Sequence, residues 1–77
     1  MAKLEETLAD IAKAIVDSPD EVRVEREEDD RVVTLSLFVA PDDMGMVIGR
    51  NGRIAKAIRT VMKAAASGEK KVNVEIR

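Results

Sequence analysis

The sequence predicts an α+β domain with the element order α-β-β-α-α-β. Three observations carry that expectation. Apolar residues recur at helical spacing in three stretches, and they alternate at strand spacing in three others. The chain has 77 residues, enough for one core and no more. The three strands are expected to form one sheet, with three helices laid over one face through their apolar stripes. The chain reads as a single domain over 1–77, with no internal repeat, linker or low-complexity segment.

The first helix is expected over residues 3–16. Leu4, Leu8, Ile11 and Ile15 mark one face, and Ala12 and Val16 widen it. Glu5, Glu6 and Asp10 stand early, where the helix dipole favours anions. The helix stops near Asp17-Ser18-Pro19, because proline disfavours helical geometry in the residue before it. In residues 21–27, Val22 and Val24 alternate with charged residues, as in a half-buried strand. After the polar break Glu27-Glu28-Asp29-Asp30, a second strand runs from Arg31 to Val39. Val33, Leu35, Leu37 and Val39 take one of its faces, and Val32, Thr34, Ser36 and Phe38 take the other. The two runs suggest a β-hairpin.

Asp42 is expected to cap a short helix that starts near Met44 and carries Met44, Val47 and Ile48 on one face. Gly49-Arg50-Asn51-Gly52 interrupts it. The helical pattern resumes from Arg53 to about Ser67, with Ile54, Ile58 and Met62 joined by Ala55, Val61 and Ala65. Gly68 suits the position after the helix end. Val72, Val74 and Ile76 alternate with polar residues in a last strand.

Composition excludes whole classes of chemistry. Apolar residues make up 45% and charged residues 36%, the profile of a folded chain. There is no cysteine and no histidine, so disulfides, thiolate nucleophiles, imidazole bases and the usual zinc frameworks are ruled out. Catalysis by lysine or paired carboxylates is the remaining enzymatic reading, and nothing in the pattern assembles it. No cofactor or metal site is expected. No apolar stretch approaches the roughly 18 residues of a membrane span, and no secretory signal opens the chain. With the missing cysteines, this points to the cytoplasm.

The net charge of −2 conceals a polarity. Residues 1–49 hold five basic side chains against thirteen acids, and residues 50–77 hold eight against two. A local basic face binds phosphate even on a net acidic protein. Arg53, Lys56, Arg59 and Lys63 follow the Gly49–Gly52 turn at helical spacing and lie away from the apolar stripe. Two glycines three apart provide positive φ for a tight helix-helix turn. They also let a sugar-phosphate chain approach the backbone closely, with N–H groups as donors. The lone aromatic, Phe38, excludes a binder that stacks successive bases on aromatic rings.

The segment Val47-Ile48-Gly49-Arg50-Asn51-Gly52-Arg53-Ile54-Ala55-Lys56-Ala57-Ile58-Arg59 resembles the I-G-x-x-G-x-x-I core of KH domains. The element order is that of the type II, prokaryotic KH fold, and the resemblance covers the whole chain. Within that family the chain is most similar to small bacterial stand-alone KH proteins, through Val16–Val24, Asp43–Gly49 and Arg59–Ala66. Met46 departs from the pattern, which more usually has a basic or polar residue there.

The resemblance implies a non-catalytic binder of single-stranded RNA. Gly49, Arg50, Asn51 and Gly52 would hold the RNA backbone. Val47, Ile48 and Ile54 would floor an apolar groove for the bases, with Leu35 to Phe38 as the opposite wall. Arg53, Lys56 and Arg59 would add phosphate attraction. It further implies a bacterial post-transcriptional role or RNA-chaperone activity. The implied protein partner is a second copy, or a larger protein with its own KH domain. The rival reading is a protein-interaction adaptor that keeps the fold and binds little RNA.

Overall fold

The structure is a computed structural model that describes residues 3–66 and 70–77. Six main elements follow in the expected order: α1 (Leu4–Ile15), β1 (Arg23–Glu28), β2 (Val32–Phe38), α2 (Met44–Ile48), α3 (Arg53–Ala66) and β3 (Lys71–Ile76). Short 3-10 turns at Pro19–Glu21, Pro41–Asp43 and Arg50–Gly52 join them. The expected helix end at Ser67 and Gly68 lies outside the described residues.

The sheet has the order β1-β2-β3 and is mixed. β1 pairs antiparallel with β2, setting Val24 against Leu37 and Arg26 against Leu35. β3 pairs parallel with β2, setting Val72 against Val33 and Val74 against Leu35. Parallel strands need a crossover connection, and here α2 and α3 supply it. The fold is the α+β arrangement of a type II KH domain.

β2 is the central strand, and its alternation is complete: Val33, Leu35 and Leu37 are buried while the residues between them are half-exposed. Leu8 and Ala12 of α1, Ile58 and Met62 of α3, and Val72 and Val74 of β3 close over that face. α1 and α3 cover the sheet, while α2 packs chiefly on α3 and α1. The opposite face is open to solvent. On it, the Arg23 guanidinium lies 4.3 Å from the centre of the Phe38 ring, an exposed cation–π contact.

Three local differences from the sequence expectation have physical causes. α1 ends at Ile15 because Val16 is already extended (φ −85°, ψ 161°), and Val16 is itself buried. The expected Asp42 cap on α2 is not made. Asp43 holds the cap position, and its carboxylate accepts the Ser18 N–H at 3.0 Å instead. That bond ties the α1 exit to the α2 entrance and accounts for the burial of Asp43 at 3% exposure. Finally, the buried stripe of α3 is Ala55, Ile58 and Met62, rotated away from Ile54, Val61 and Ala65, which are exposed.

The hairpin turn is held by one side chain. Asp29 Oδ1 accepts the N–H groups of Arg31 (2.7 Å) and Val32 (2.8 Å), and the Asp29 N–H reaches the Val32 carbonyl at 3.0 Å. The N–H of Arg31, then that of Val32, hold the Asp29 carboxyl below its usual 3.8. Glu28 is lowered by Lys70 and then Arg26, which pair with it beside the turn.

Two predictions follow from this packing. Leu35→Ala, at the centre of the buried strand face, is expected to destabilise the fold by about 2–5 kcal/mol, read as a lowered urea midpoint at unchanged slope. The lowered carboxyls of Glu28 and Asp29 favour the folded state above the ordinary carboxylate range. That contribution is lost as pH falls through their folded values, because protonation then costs more in the folded chain. The melting temperature is therefore expected to drop below about pH 4, and Asp29→Asn is expected to flatten part of that drop. An identical acid limb in the variant would contradict the assignment.

Candidate nucleic-acid interface

The turn between α2 and α3 is built from left-handed backbone. Gly49 has φ 74°, Asn51 φ 57° and Gly52 φ 73°. Asn51 is the one non-glycine residue with positive φ among those described, and asparagine tolerates that geometry better than most. The two glycines serve different needs. A β-carbon on Gly49 would run into the side chain of Ile54, whereas one on Gly52 would meet open space. Gly49 is thus required by close packing as well as by φ, and Gly52 by φ alone.

The turn closes through the Gly52 N–H to the Gly49 carbonyl at 3.1 Å, and the Gly49 N–H caps α2 on the Gly45 carbonyl at 2.9 Å. Arg50 and Asn51 form its exposed tip. Their N–H groups stand at the start of the 3-10 turn, ahead of its first hydrogen bond. Ile48 on one side and Ile54 on the other remain 39% and 38% exposed, so the tip rises between two partly bare aliphatic side chains.

Five ion pairs engage cations around the sheet, although Arg31 and Lys71 there are exposed and form none among the described residues. On the sheet side, Arg26 bridges Glu5 (3.1 Å) and Glu28 (2.7 Å), Lys70 pairs with Glu28, Arg23 with Glu25, and Arg77 with Glu75. On the helix side, Arg50, Arg53, Lys56 and Lys63 are exposed and form no ion pair among the described residues. Their charge is directed outward and not neutralised by a neighbour. Arg59 stands apart from this group: its Nε–H donates to the Val74 carbonyl at 3.3 Å.

The structure therefore brings Gly49, Arg50, Asn51, Gly52, Arg53, Lys56, Ile48 and Ile54 to one surface. It does not bring Val47 there. Val47 is fully buried beneath α2 and offers nothing to a ligand. Leu35 and Leu37 are likewise wholly enclosed, because β2 is the central strand and those residues face the helices. The strand beside α3 is the edge strand β3, so the second wall of any cleft next to the loop comes from β3. Sequence reasoning missed that role for β3. The signal lay in the long crossover between β2 and β3, which permits a parallel edge strand.

Among the described residues no cluster of His, Cys, Asp or Glu suited to a metal ion occurs, and no helix is long and apolar enough to cross a membrane. Two acids at the hairpin are already engaged: Glu28 in ion pairs and Asp29 in the turn.

Comparison with known proteins agrees with this geometry. The family described as KhpA/KhpB, KH domain, matches residues 5–76. A protein of Clostridium acetobutylicum named RNA-binding protein KhpA is 57% identical over 74 residues, covering 95% of this chain and 99% of its own. Its namesake in Clostridium perfringens is 54% identical over the same length, with the same coverage. The Bacillus subtilis protein of that name is 49% identical, covering 95% of this chain and 91% of its own. A match spanning nearly every residue, with the two-glycine turn between α2 and α3 and the mixed three-stranded sheet, makes this chain a member of the KhpA/KhpB family of KH domains.

Proposed function

We propose that the chain is a single KH domain over residues 1–77 that binds single-stranded RNA without catalysis, through the Gly49–Gly52 turn and the first turns of α3. The observation that carries this reading is the pairing of left-handed, glycine-opened backbone with the exposed, unneutralised cations Arg50, Arg53 and Lys56. Bare backbone lets a phosphate come close, and the cations supply the attraction. The names of the three relatives, each an RNA-binding protein, support it.

The RNA backbone runs along the turn. About four nucleotides are clamped, as in KH modules generally. Bases lie over Ile48 and Ile54 rather than on aromatic rings, since Phe38 sits on the open sheet face against Arg23. Aliphatic contact is less discriminating than stacking and hydrogen bonding together, so affinity for one site is low and selectivity loose. Avidity then comes from coupling sites, through a homodimer or a larger KH-domain protein. Met46 and Val61, 40% and 49% exposed, offer further apolar contact for such a partner. The chain acts in the bacterial cytoplasm as a post-transcriptional regulator or RNA chaperone, with no cofactor.

Those same exposed apolar residues favour the second reading, an adaptor whose main ligand is protein. The two part in one experiment. An unstructured fluorescent RNA of about ten nucleotides, longer than the clamp, is titrated with wild type and with Arg50→Asp/Asn51→Asp, both shown folded by circular dichroism. Binding by wild type and loss by the variant are expected, and no binding by wild type would move function to protein partners. A second prediction concerns salt. Three phosphate contacts by Arg50, Arg53 and Lys56 give a slope of log K against log salt of roughly −2, at about −0.7 per contact. A flat line would remove the electrostatic clamp.

A further inference from the structure

β3 is an edge strand, and its backbone divides in two. The Lys71 N–H donates to the Arg31 carbonyl at 3.0 Å and the Arg77 N–H to the Leu37 carbonyl at 2.8 Å, both on the β2 side. Backbone groups of a parallel strand alternate sides along the chain. Val72, Val74 and Ile76 therefore turn their N–H and carbonyl groups to the free edge, beside α3. An uncovered edge of this kind is a template for any ligand with matching donors and acceptors.

One of those groups is covered. The Arg59 Nε–H donates to the Val74 carbonyl across the space between α3 and β3. The contact spans fifteen residues of sequence and is partly buried, unlike the hydrogen bonds of Arg26 and Lys70, which are exposed. At 3.3 Å it is long for an N–H···O bond, and so readily exchanged. The connection from α3 to β3 is short, so the two elements run in opposite senses. The start of α3, with the Gly49–Gly52 turn, thus lies toward the Ile76 end of the edge.

We propose that Arg59 is a placeholder rather than a phosphate contact: in the RNA-free protein its guanidinium closes the β3 edge at Val74, and a base of the bound strand displaces it. This rests on the RNA-binding reading above. A strand held by the turn runs past Val74, and a base N–H replaces the Arg59 Nε–H on the carbonyl. Each ligand then exchanges one hydrogen bond for another. The Val74 carbonyl stays satisfied in both states.

The test uses the full chain with nitrogen-15 in its arginines. The Arg59 Nε–H signal is assigned by its loss in Arg59→Lys. In the free protein it is expected to exchange with solvent more slowly than those of Arg50 and Arg53. Saturation with the ten-nucleotide RNA is expected to abolish that protection. Protection retained or increased on RNA binding overturns the proposal, as does its absence in the free protein. In parallel, Arg59→Met is expected to bind the RNA about two- to tenfold more tightly than wild type, the range set by one net hydrogen bond, despite losing a charge. Arg53→Met is expected to bind less tightly. Unchanged or weakened binding by Arg59→Met overturns the proposal while wild-type binding leaves the RNA reading standing, and failure of wild type to bind removes both.

Discussion

The structure depends on β2. A chain with one aromatic residue cannot build its core around large rings, so its core is made of aliphatic side chains gathered on a single strand. Val33, Leu35 and Leu37 meet α1 from one direction and α3 from another, and β1 and β3 are each anchored by pairing with that strand. Every other element is positioned relative to these three residues. α3 must lay Ile58 and Met62 against them, and this requirement fixes which of its faces look outward.

The rotation of α3 is where packing becomes chemistry. With Ala55, Ile58 and Met62 turned inward, Ile54 is left beside Gly49, and Arg53 and Lys56 are left in solvent. Glu5, Glu25 and Glu28 pair with cations around the sheet and leave Arg53 and Lys56 without an ion pair among the described residues. A protein of net charge −2 thus presents two electrostatic faces. A cluster of unpaired cations beside the turn attracts phosphate even on a net acidic protein.

Element order, strand faces and the two-glycine turn were legible in the sequence because each rests on local periodicity or local backbone preference. What was not legible depended on tertiary choice. Ile54 and Ala55 are neighbours, and hydropathy favours the larger residue for burial; the structure buries the smaller one and leaves Ile54 beside Gly49. Val47 and Ile48 could not be ranked in a helix of five residues, where one turn does not define a face. Asp42 reads as the cap from its position, but Asp43 holds that place and its carboxylate accepts the N–H of Ser18, twenty-five residues away. Arg59 shares its spacing with the other cations, and only the position of β3 separates it from them.

The parallel pairing of β2 with β3 has a kinetic consequence. β1 and β2 close over a turn of three residues, 29–31, and form early at small entropic cost. β3 must wait for the intervening crossover of α2 and α3 before it can join, so its docking closes a long loop. The two-glycine turn lies inside that loop, and the edge beside it does not exist until the loop is closed. The second wall of the cleft therefore depends on the step that completes the sheet. Any opening that releases β3 from β2 dissolves the second wall of the cleft while the hairpin stays intact.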